Sequence, residues 1–176
     1  FLLNPKGRPI VDLRVLAAPG FEKDANREST SNTQVFWLDI PVDGVGAVYT
    51  YFTKYIPPLF AHYSSPELHV LSLLGPRAME GLRSVLSALN LTPTLDLDQL
   101  PQLGMATLSL EALIVRREEI EGGGVDLYIP SQELELFVPA LERGVHTLGG
   151  ALGTPTEWDI IRVEQGLPIY GRELTS

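Results

Sequence analysis

The sequence contains no cysteine among its 176 residues. This absence excludes a disulfide-stabilised scaffold, a thiolate-ligated zinc or iron–sulfur site and a cysteine nucleophile within these residues. Positive charge is also scarce, because 13 Lys and Arg residues stand against 22 Asp and Glu, for a net charge of −9. That balance argues against a nucleic-acid backbone or an anionic membrane as a partner. We therefore expect neither nucleic acid nor a membrane to be bound.

Long apolar runs and a basic leader are missing too. The chain opens with Phe1-Leu2-Leu3-Asn4-Pro5, without an initiator Met. We expect no signal peptide and no membrane span. The predicted location is cytoplasmic, or the mitochondrial matrix if a transit peptide precedes Phe1. Both ends look cut from a longer sequence, so we expect an incomplete chain.

What is present is an ordinary globular composition, 44% hydrophobic and 20% charged. The length suits one domain or two small ones. Hairpin-like strand pairs alternate with single helices and lack the regularity of a doubly wound sheet. This pattern predicts an α+β fold of ferredoxin-like architecture.

Local signals place the elements along the chain. We predict an initial hairpin with a turn at 4–7, strands at 35–40, 68–74 and 125–129, and two strands across 106–117. Residues 20–33 predict a mobile surface loop. Asp43 and Ser131 are expected helix caps, and Pro139 is expected to kink or restart its helix. Thr154 begins a capping box, and Gly166 follows the end of that last helix.

Common catalytic and metal motifs are absent. His62, His69 and His146 lie far apart in sequence without carboxylates at ligand spacing, so no metal site is predicted. The chain has no G-x-S-x-G or H-E-x-x-H segment. The glycines at 122–124 lack the spacing of a phosphate-binding loop and predict a hairpin turn instead.

Two groups of acidic residues allow alternative interpretations. Glu118, Glu119 and Glu121, with Asp126 beyond the glycines, are more typical of a solvated hairpin tip than of a cation site. Asp12 interrupts an otherwise apolar strand. Its carboxylate is either solvated at an edge or held by donors in a cleft, and the sequence alone does not decide between them.

Trp158, Arg162 and Glu164 lie on the predicted final helix. Trp158 and Arg162 are spaced i, i+4 and share one helix face. A tryptophan and a guanidinium in this arrangement can sandwich a flat heteroaromatic ring, while a carboxylate accepts its N–H groups. The alternative, favoured on residue patterns alone, is a core tryptophan beside a surface Arg–Glu pair.

Three segments carry a family resemblance. Residues 162–173 (RVEQGLPIYGRE) resemble the R-[LIV]-E-x-G-[LIF]-P-x-x-G-x-[DE] signature. This signature is typical of the superfamily that joins the glycine-cleavage T-protein, an aminomethyltransferase, and the YgfZ-like folate-binding proteins. Residues 1–12 (FLLNPKGRPIVD) resemble the FLNPKGRxxxD hairpin of the YgfZ-like branch, and residues 73–78 (LLGPRA) resemble the GPxA turn of both branches.

The resemblance implies the aminomethyltransferase folate-binding fold, with tetrahydrofolate or a one-carbon derivative in a cleft between α+β subdomains. Residues 1–60 would form the hairpin, strand and helix of the first subdomain. Residues 61–176 would form a second α+β portion that completes the folate-binding core. The C-terminal barrel domain of T-proteins would be absent.

The resemblance also implies roles for individual residues. Trp158 matches the tryptophan that lies against the folate, and Arg162 matches the arginine that engages it. Glu164 is the signature acid. Asp12 matches one acid of the T-protein GGxxDD strand and is the candidate catalytic residue. An anionic folate requires local positive charge, for which Arg162 with Arg14 or Lys6 is the candidate.

Departures from the family pattern favour one branch. Val11 stands where T-proteins have the other acid of the pair, and Gly122 stands where their GYTGExG glutamate binds the pterin. Losing both carboxylates weakens general-base chemistry and recognition of the pterin N–H edge. The YgfZ-like KGCYxGQE segment would lie beyond Ser176.

The favoured prediction is therefore a YgfZ-like protein that binds tetrahydrofolate in support of iron–sulfur cluster maintenance or one-carbon metabolism. Its expected macromolecular partner is an iron–sulfur protein. The enzyme alternative is an aminomethyltransferase of the glycine cleavage system that acts on a lipoylated carrier protein. A third alternative is a degenerate member that serves as an interaction domain without folate.

Overall fold

The structure is a computed structural model that describes residues 1–17, 36–108 and 112–174. Its elements follow in chain order: β1 (Leu2–Leu3), β2 (Pro9–Val11), β3 (Arg14–Ala17), β4 (Phe36–Asp39), α1 (Val45–Tyr55), β5 (Leu68–Leu74), α2 (Ala78–Ala88), β6 (Met105–Thr107), β7 (Leu113–Arg117), β8 (Gly124–Pro130), α3 (Leu134–Thr147) and α4 (Pro155–Glu164). The loop predicted over 20–33 lies outside the described residues.

The front of the chain forms the predicted hairpin. Strands β1 and β2 pair antiparallel, and the Gly7 N–H donates to the Asn4 carbonyl across the turn at 2.9 Å. The Asn4 side chain accepts the N–H groups of Lys6 and Arg8, which fixes the turn. The apolar run of residues 10–16 is not one strand, because β2 ends at Val11 and β3 begins at Arg14. Strand β3 then pairs with β4 in a separate two-stranded sheet.

The main sheet has four antiparallel strands in the order β5-β8-β7-β6. Because β8 is antiparallel to both neighbours, β5 and β7 run parallel, and α2 belongs to the crossover between them. The chain order β5-α2-β7-β8-α3 is compatible with a ferredoxin-like unit, with β6 added beyond β7. The predicted α+β class is confirmed.

Helices α2 and α3 cover one face of this sheet. Alternation along β8 places its odd-numbered apolar residues on that face. They pack with the inward faces of both helices in the larger hydrophobic core. Its fully or almost fully buried members include Leu82, Val85, Leu127, Ile129 and Phe137.

The β3–β4 pair contacts the opposite face of the sheet. Leu16 of β3 is buried in a second cluster with Met105, Leu113, Val115 and Tyr128. Residues from the front of the chain therefore complete a core whose other members lie in the second half. The division at residue 60 stays a prediction.

Both expected cap residues are wrong for the same physical reason. Asp43 and Ser131 lie inside short 3-10 turns, Val42–Gly44 and Ser131–Glu133, that precede α1 and α3. Each turn supplies the first hydrogen bonds, so the α-helix begins later and neither side chain caps it. The Ser131 hydroxyl instead donates to Glu67 at 3.0 Å.

Helix α3 continues through Pro139 without a restart, contrary to one of the two predicted outcomes. Proline removes the N–H that would bond the carbonyl four residues earlier. That carbonyl belongs to Glu135, and both residues are exposed, so water can replace the lost partner. Across the described residues, no helix combines the length and apolarity needed to cross a membrane.

Helix α4 has the predicted ends. Thr154 and Glu157 form a reciprocal capping box, and Pro155 occupies the first helical position. Gly166, with φ of +67°, follows the helix in the left-handed conformation. The N–H groups of Gly166 and Leu167 then donate back to Val163 and Arg162, which closes the helix.

Gly44 tests how the front hairpin packs on α1. A Cβ at Gly44 would lie 2.4 Å from Cγ2 of the fully buried Val11, whereas one at Gly46 meets nothing within 4 Å. We expect Gly44→Ala to lower the free energy of unfolding by about 1–3 kcal/mol through overpacking. Gly46→Ala should raise it by up to about 1 kcal/mol through helix propensity. Urea denaturation measures both; equal effects would contradict this packing.

Candidate functional site

A cleft of about 970 Å³ runs beside β5. Within the described sheet, β5 is an edge strand. The opposite walls come from the β5–α2 turn, the last turns of α3, the 148–154 loop and α4. Most of the lining is apolar. The polar side chains in it belong to Ser72, Arg77, Glu142, His146, Thr154 and Glu157.

A buried carboxylate lies behind this cleft. Asp126 of β8 points away from α2 and α3 and is 0% exposed. Its Oδ1 accepts the Ser72 hydroxyl at 2.6 Å and Nη1 of Arg117 at 3.3 Å. Its Oδ2 lies 2.7 Å from Nη2 of Arg14, an ion-pair contact without hydrogen-bond alignment. Two guanidinium groups therefore compensate a charge that would otherwise be costly to bury.

Arg14 is shared by several partners on this face of the sheet. Its Nε donates to Oδ2 of Asp39 at 2.8 Å, and its Nη2 donates to the Tyr128 hydroxyl at 3.0 Å. Burial lowers the pKa of Arg14, but attraction to Asp126 and Asp39 outweighs it and raises that pKa above its ordinary value. Burial also raises the pKa of Tyr128. The guanidinium stays charged and the phenol stays protonated at neutral pH.

Arg117 connects this network to the cleft. Its Nε donates to Oε1 of Glu119 at 2.6 Å, and its guanidinium lies 5.3 Å from the ring centroid of Trp158. Trp158 projects from α4 and lines the cleft. The N–H of Glu121 donates to the Gln165 side chain at 3.0 Å, which joins α4 to the β7–β8 turn. A cation–π contact thus lies at the boundary between network and cleft.

The glycine segment forms the predicted hairpin turn between β7 and β8. The Gly123 N–H closes it by donating to Ile120 at 2.8 Å. Gly122 and Gly123 have φ of +83° and +72°. The solvated-tip interpretation is wrong for Asp126, which is buried because the strand continues beyond the turn and alternation carries it under Arg14. Glu118 and Glu121 are exposed at the tip.

Arg162 lies in a different environment. It is 4% exposed and donates to Asp159 at 2.8 Å and to Glu173 at 3.1 Å. The hydrogen bond to Asp159 raises the pKa of Arg162, and the same bond, with one from Arg172, lowers the pKa of Asp159. These contacts tie α4 to the turn that follows it.

The structure separates the other predicted site residues. Glu164 is exposed on α4, and Lys6 is exposed in the β1–β2 turn. Asp12 is half-buried, and its Oδ1 is buried without a hydrogen-bond partner among the described residues. Of the proposed ligand-binding set, Trp158 lines the cleft and Arg14 belongs to the network behind it. Their functional roles stay predictions.

Sequence reasoning missed Ser72 and Arg117 and misjudged Asp126. A charged residue within the apolar segment 125–129 was a usable signal. It indicates a buried carboxylate once that segment is taken as a strand with two covered faces. The identities of its partners required the sheet register, in which Ser72 pairs with Asp126 across β5 and β8.

In the part of the chain that the structure describes, no three His, Asp or Glu side chains are grouped so that they could hold a metal ion. The histidines there have different surroundings. His69 contacts the Ser131 hydroxyl at 3.1 Å, and His146 lines the cleft.

Comparison with known proteins supports one superfamily. No protein-family model matches the chain. It is similar to an aminomethyltransferase of Chlorobaculum parvum, with 31% identity over 116 residues. The match covers 61% of this chain and 29% of that relative, so the chain spans less than a third of the relative's length. This similarity supports a relationship to the glycine-cleavage T-protein superfamily. It does not distinguish the YgfZ-like branch from the T-proteins.

Asp126 is the first test of the network. Asp126→Ala would leave Arg14 and Arg117 without their shared buried carboxylate, so we expect the free energy of unfolding to fall by about 3–5 kcal/mol. Asp98 offers a matched control, because it pairs with Arg83 at the exposed surface. Asp98→Ala should cost no more than about 1 kcal/mol. Chemical denaturation distinguishes them, and a cost near that of Asp98→Ala would contradict the role of Asp126.

Proposed function

We propose that this protein binds tetrahydrofolate or a one-carbon derivative in the cleft beside β5, as a YgfZ-like folate-binding protein. The observation that carries the proposal is the position of Trp158, which lines the cleft and has Arg117 against its ring. The similarity to an aminomethyltransferase supports a folate-related function in general. The cellular role we propose is support of iron–sulfur cluster maintenance or one-carbon metabolism, with an iron–sulfur protein as partner.

The cleft suits a flat heteroaromatic ligand. Its volume of about 970 Å³ lies within the usual range for small-molecule sites. Leu74, Val145 and Ile161 contribute apolar surface, while Ser72 and Thr154 supply hydroxyl groups. Trp158 adds a ring on which a pterin can stack. Apolar walls with few polar groups are typical of cofactor sites.

The anionic tail of folate requires positive side chains near the cleft. The ionisable side chains in its lining are Arg77, Glu142, His146 and Glu157. Of the predicted sources of positive charge, Arg14 is paired with three carboxylates and Arg162 with two. Recognition through the ring therefore fits the surroundings better than capture of the anionic tail.

Two positions support the YgfZ-like branch over an aminomethyltransferase. Val11, at the place of a T-protein acid, is 0% exposed. Gly122, at the place of the pterin-binding glutamate, has φ of +83°, and a Cβ there would lie 2.9 Å from the Pro76 backbone. A carboxylate at either position would conflict with the local packing.

Aminomethyl transfer is the second candidate function. The similarity to an aminomethyltransferase favours it, as does Oδ1 of Asp12, a buried oxygen that has no hydrogen-bond partner among the described residues. A glycine-cleavage assay with a lipoylated carrier protein tests this alternative. Measurable methylene transfer that Asp12→Asn abolishes would favour the enzyme over our proposal. The cytoplasmic or mitochondrial location accompanies either function as a proposal.

Trp158 provides the test of binding. Trp158→Ala should weaken tetrahydrofolate affinity by about 1–3 kcal/mol, because a stacking face is lost. Isothermal titration calorimetry measures this directly. In a Trp37→Phe background, bound tetrahydrofolate should also quench the emission of Trp158, the other tryptophan of the sequence.

Ile160→Ala is the matched control, since Ile160 is 54% exposed on the same helix and does not line the cleft. It should leave the affinity unchanged. Equal affinities for wild type and Trp158→Ala would remove Trp158 from the site. An absence of binding heat and quenching with the wild-type chain would favour the degenerate interaction domain.

A further inference from the structure

We infer that Ser72 is a specificity-determining residue, whose hydroxyl oxygen accepts a hydrogen bond from the exocyclic amino group of the bound heteroaromatic ligand. The inference rests on the proposed function and deepens it. It assigns to Ser72 the selection of ligands that carry an amino group at the edge of the ring.

The hydrogen bond between Ser72 and Asp126 has a defined direction. A serine hydroxyl has one proton to donate and two lone pairs to accept. The carboxylate of Asp126 only accepts, so the 2.6 Å contact between Ser72 Oγ and Asp126 Oδ1 uses the serine proton. The oxygen of Ser72 is thereby left with acceptor capacity alone.

The surroundings of Asp126 keep this arrangement in place. Its carboxylate is 0% exposed and contacts the guanidinium groups of Arg14 and Arg117. Both arginines supply donors and neither can accept a hydrogen bond. Neither can take over the role that Asp126 plays for the Ser72 proton.

The remaining acceptor capacity of Ser72 lies beside the cleft. Ser72 is exposed on β5 and lines the cleft together with Trp158. Arg117 donates to the same Oδ1 that accepts the Ser72 proton, and it also lies against the Trp158 ring. The acceptor and the stacking ring are therefore joined through one buried carboxylate, which favours an aromatic ring with an N–H at its edge.

The ligand chemistry separates this role from packing. The probes are tetrahydrofolate and its analogue with a methyl group in place of the 2-amino group, which keeps a similar shape but loses the amino donor. We expect the wild-type chain to prefer tetrahydrofolate by about tenfold, the size of one well-formed hydrogen bond. Ser72→Ala should bind both compounds with the affinity that the wild type has for the analogue.

Two further variants complete the comparison by calorimetry. Ser72→Thr keeps the hydroxyl and should keep the preference. Ser84→Ala, at an exposed serine of α2 outside the cleft lining, should match the wild type. Unchanged circular dichroism would show that each variant is folded.

The outcomes distinguish this inference from the proposed function. A preference that is the same in wild type and Ser72→Ala would overturn the inference and leave tetrahydrofolate binding intact. Equal weakening of both compounds would also overturn it, because that result assigns Ser72 a role in shape alone. A wild-type chain that binds neither compound would instead overturn the proposed function and, with it, the inference.

Discussion

The burial of Asp126 between two arginines is the constraint on which the site depends. A carboxylate with no exposed surface is stable in a sheet only if charged partners and hydrogen-bond donors surround it. Arg14 comes from β3, Arg117 from β7 and the Ser72 hydroxyl from β5. The charge of Asp126 therefore connects β3 with strands β5, β7 and β8 of the main sheet.

The same charge network contacts Trp158. Arg117 is held by Glu119 and Asp126, and its guanidinium contacts the tryptophan ring. Helix α4 is fixed independently at its ends by the capping box and the left-handed Gly166. Trp158 is thus held both by its helix and by Arg117. A side chain that is already ordered loses less conformational entropy when a ligand stacks on it. Local helix signals and long-range ion pairs converge at this residue.

How much of this was predictable depends on the range of the interactions. The bounds of β5 and the start of α4 follow from residues within a few positions, such as the apolar run of 68–74 and the Thr154–Glu157 pair. The caps at Asp43 and Ser131 failed because a 3-10 turn of similar composition competes with a capped helix. Asp126 was misjudged because its partners are distant in sequence, and only the pairing of β5, β7 and β8 brings them together. The family resemblance singled out Trp158, whose role in binding stays a prediction, whereas no sequence signal indicated that Arg117 contacts its ring.

In the complex that we propose, a folate ring stacks on Trp158 in the cleft beside β5. A crystal structure of the chain with tetrahydrofolate measures this most directly. We predict pterin density parallel to the Trp158 indole, on the cleft side, with the 2-amino group within hydrogen-bond distance of Ser72 Oγ. Pterin density away from both residues, for example against Asp12 or Arg162, would contradict stacking on Trp158.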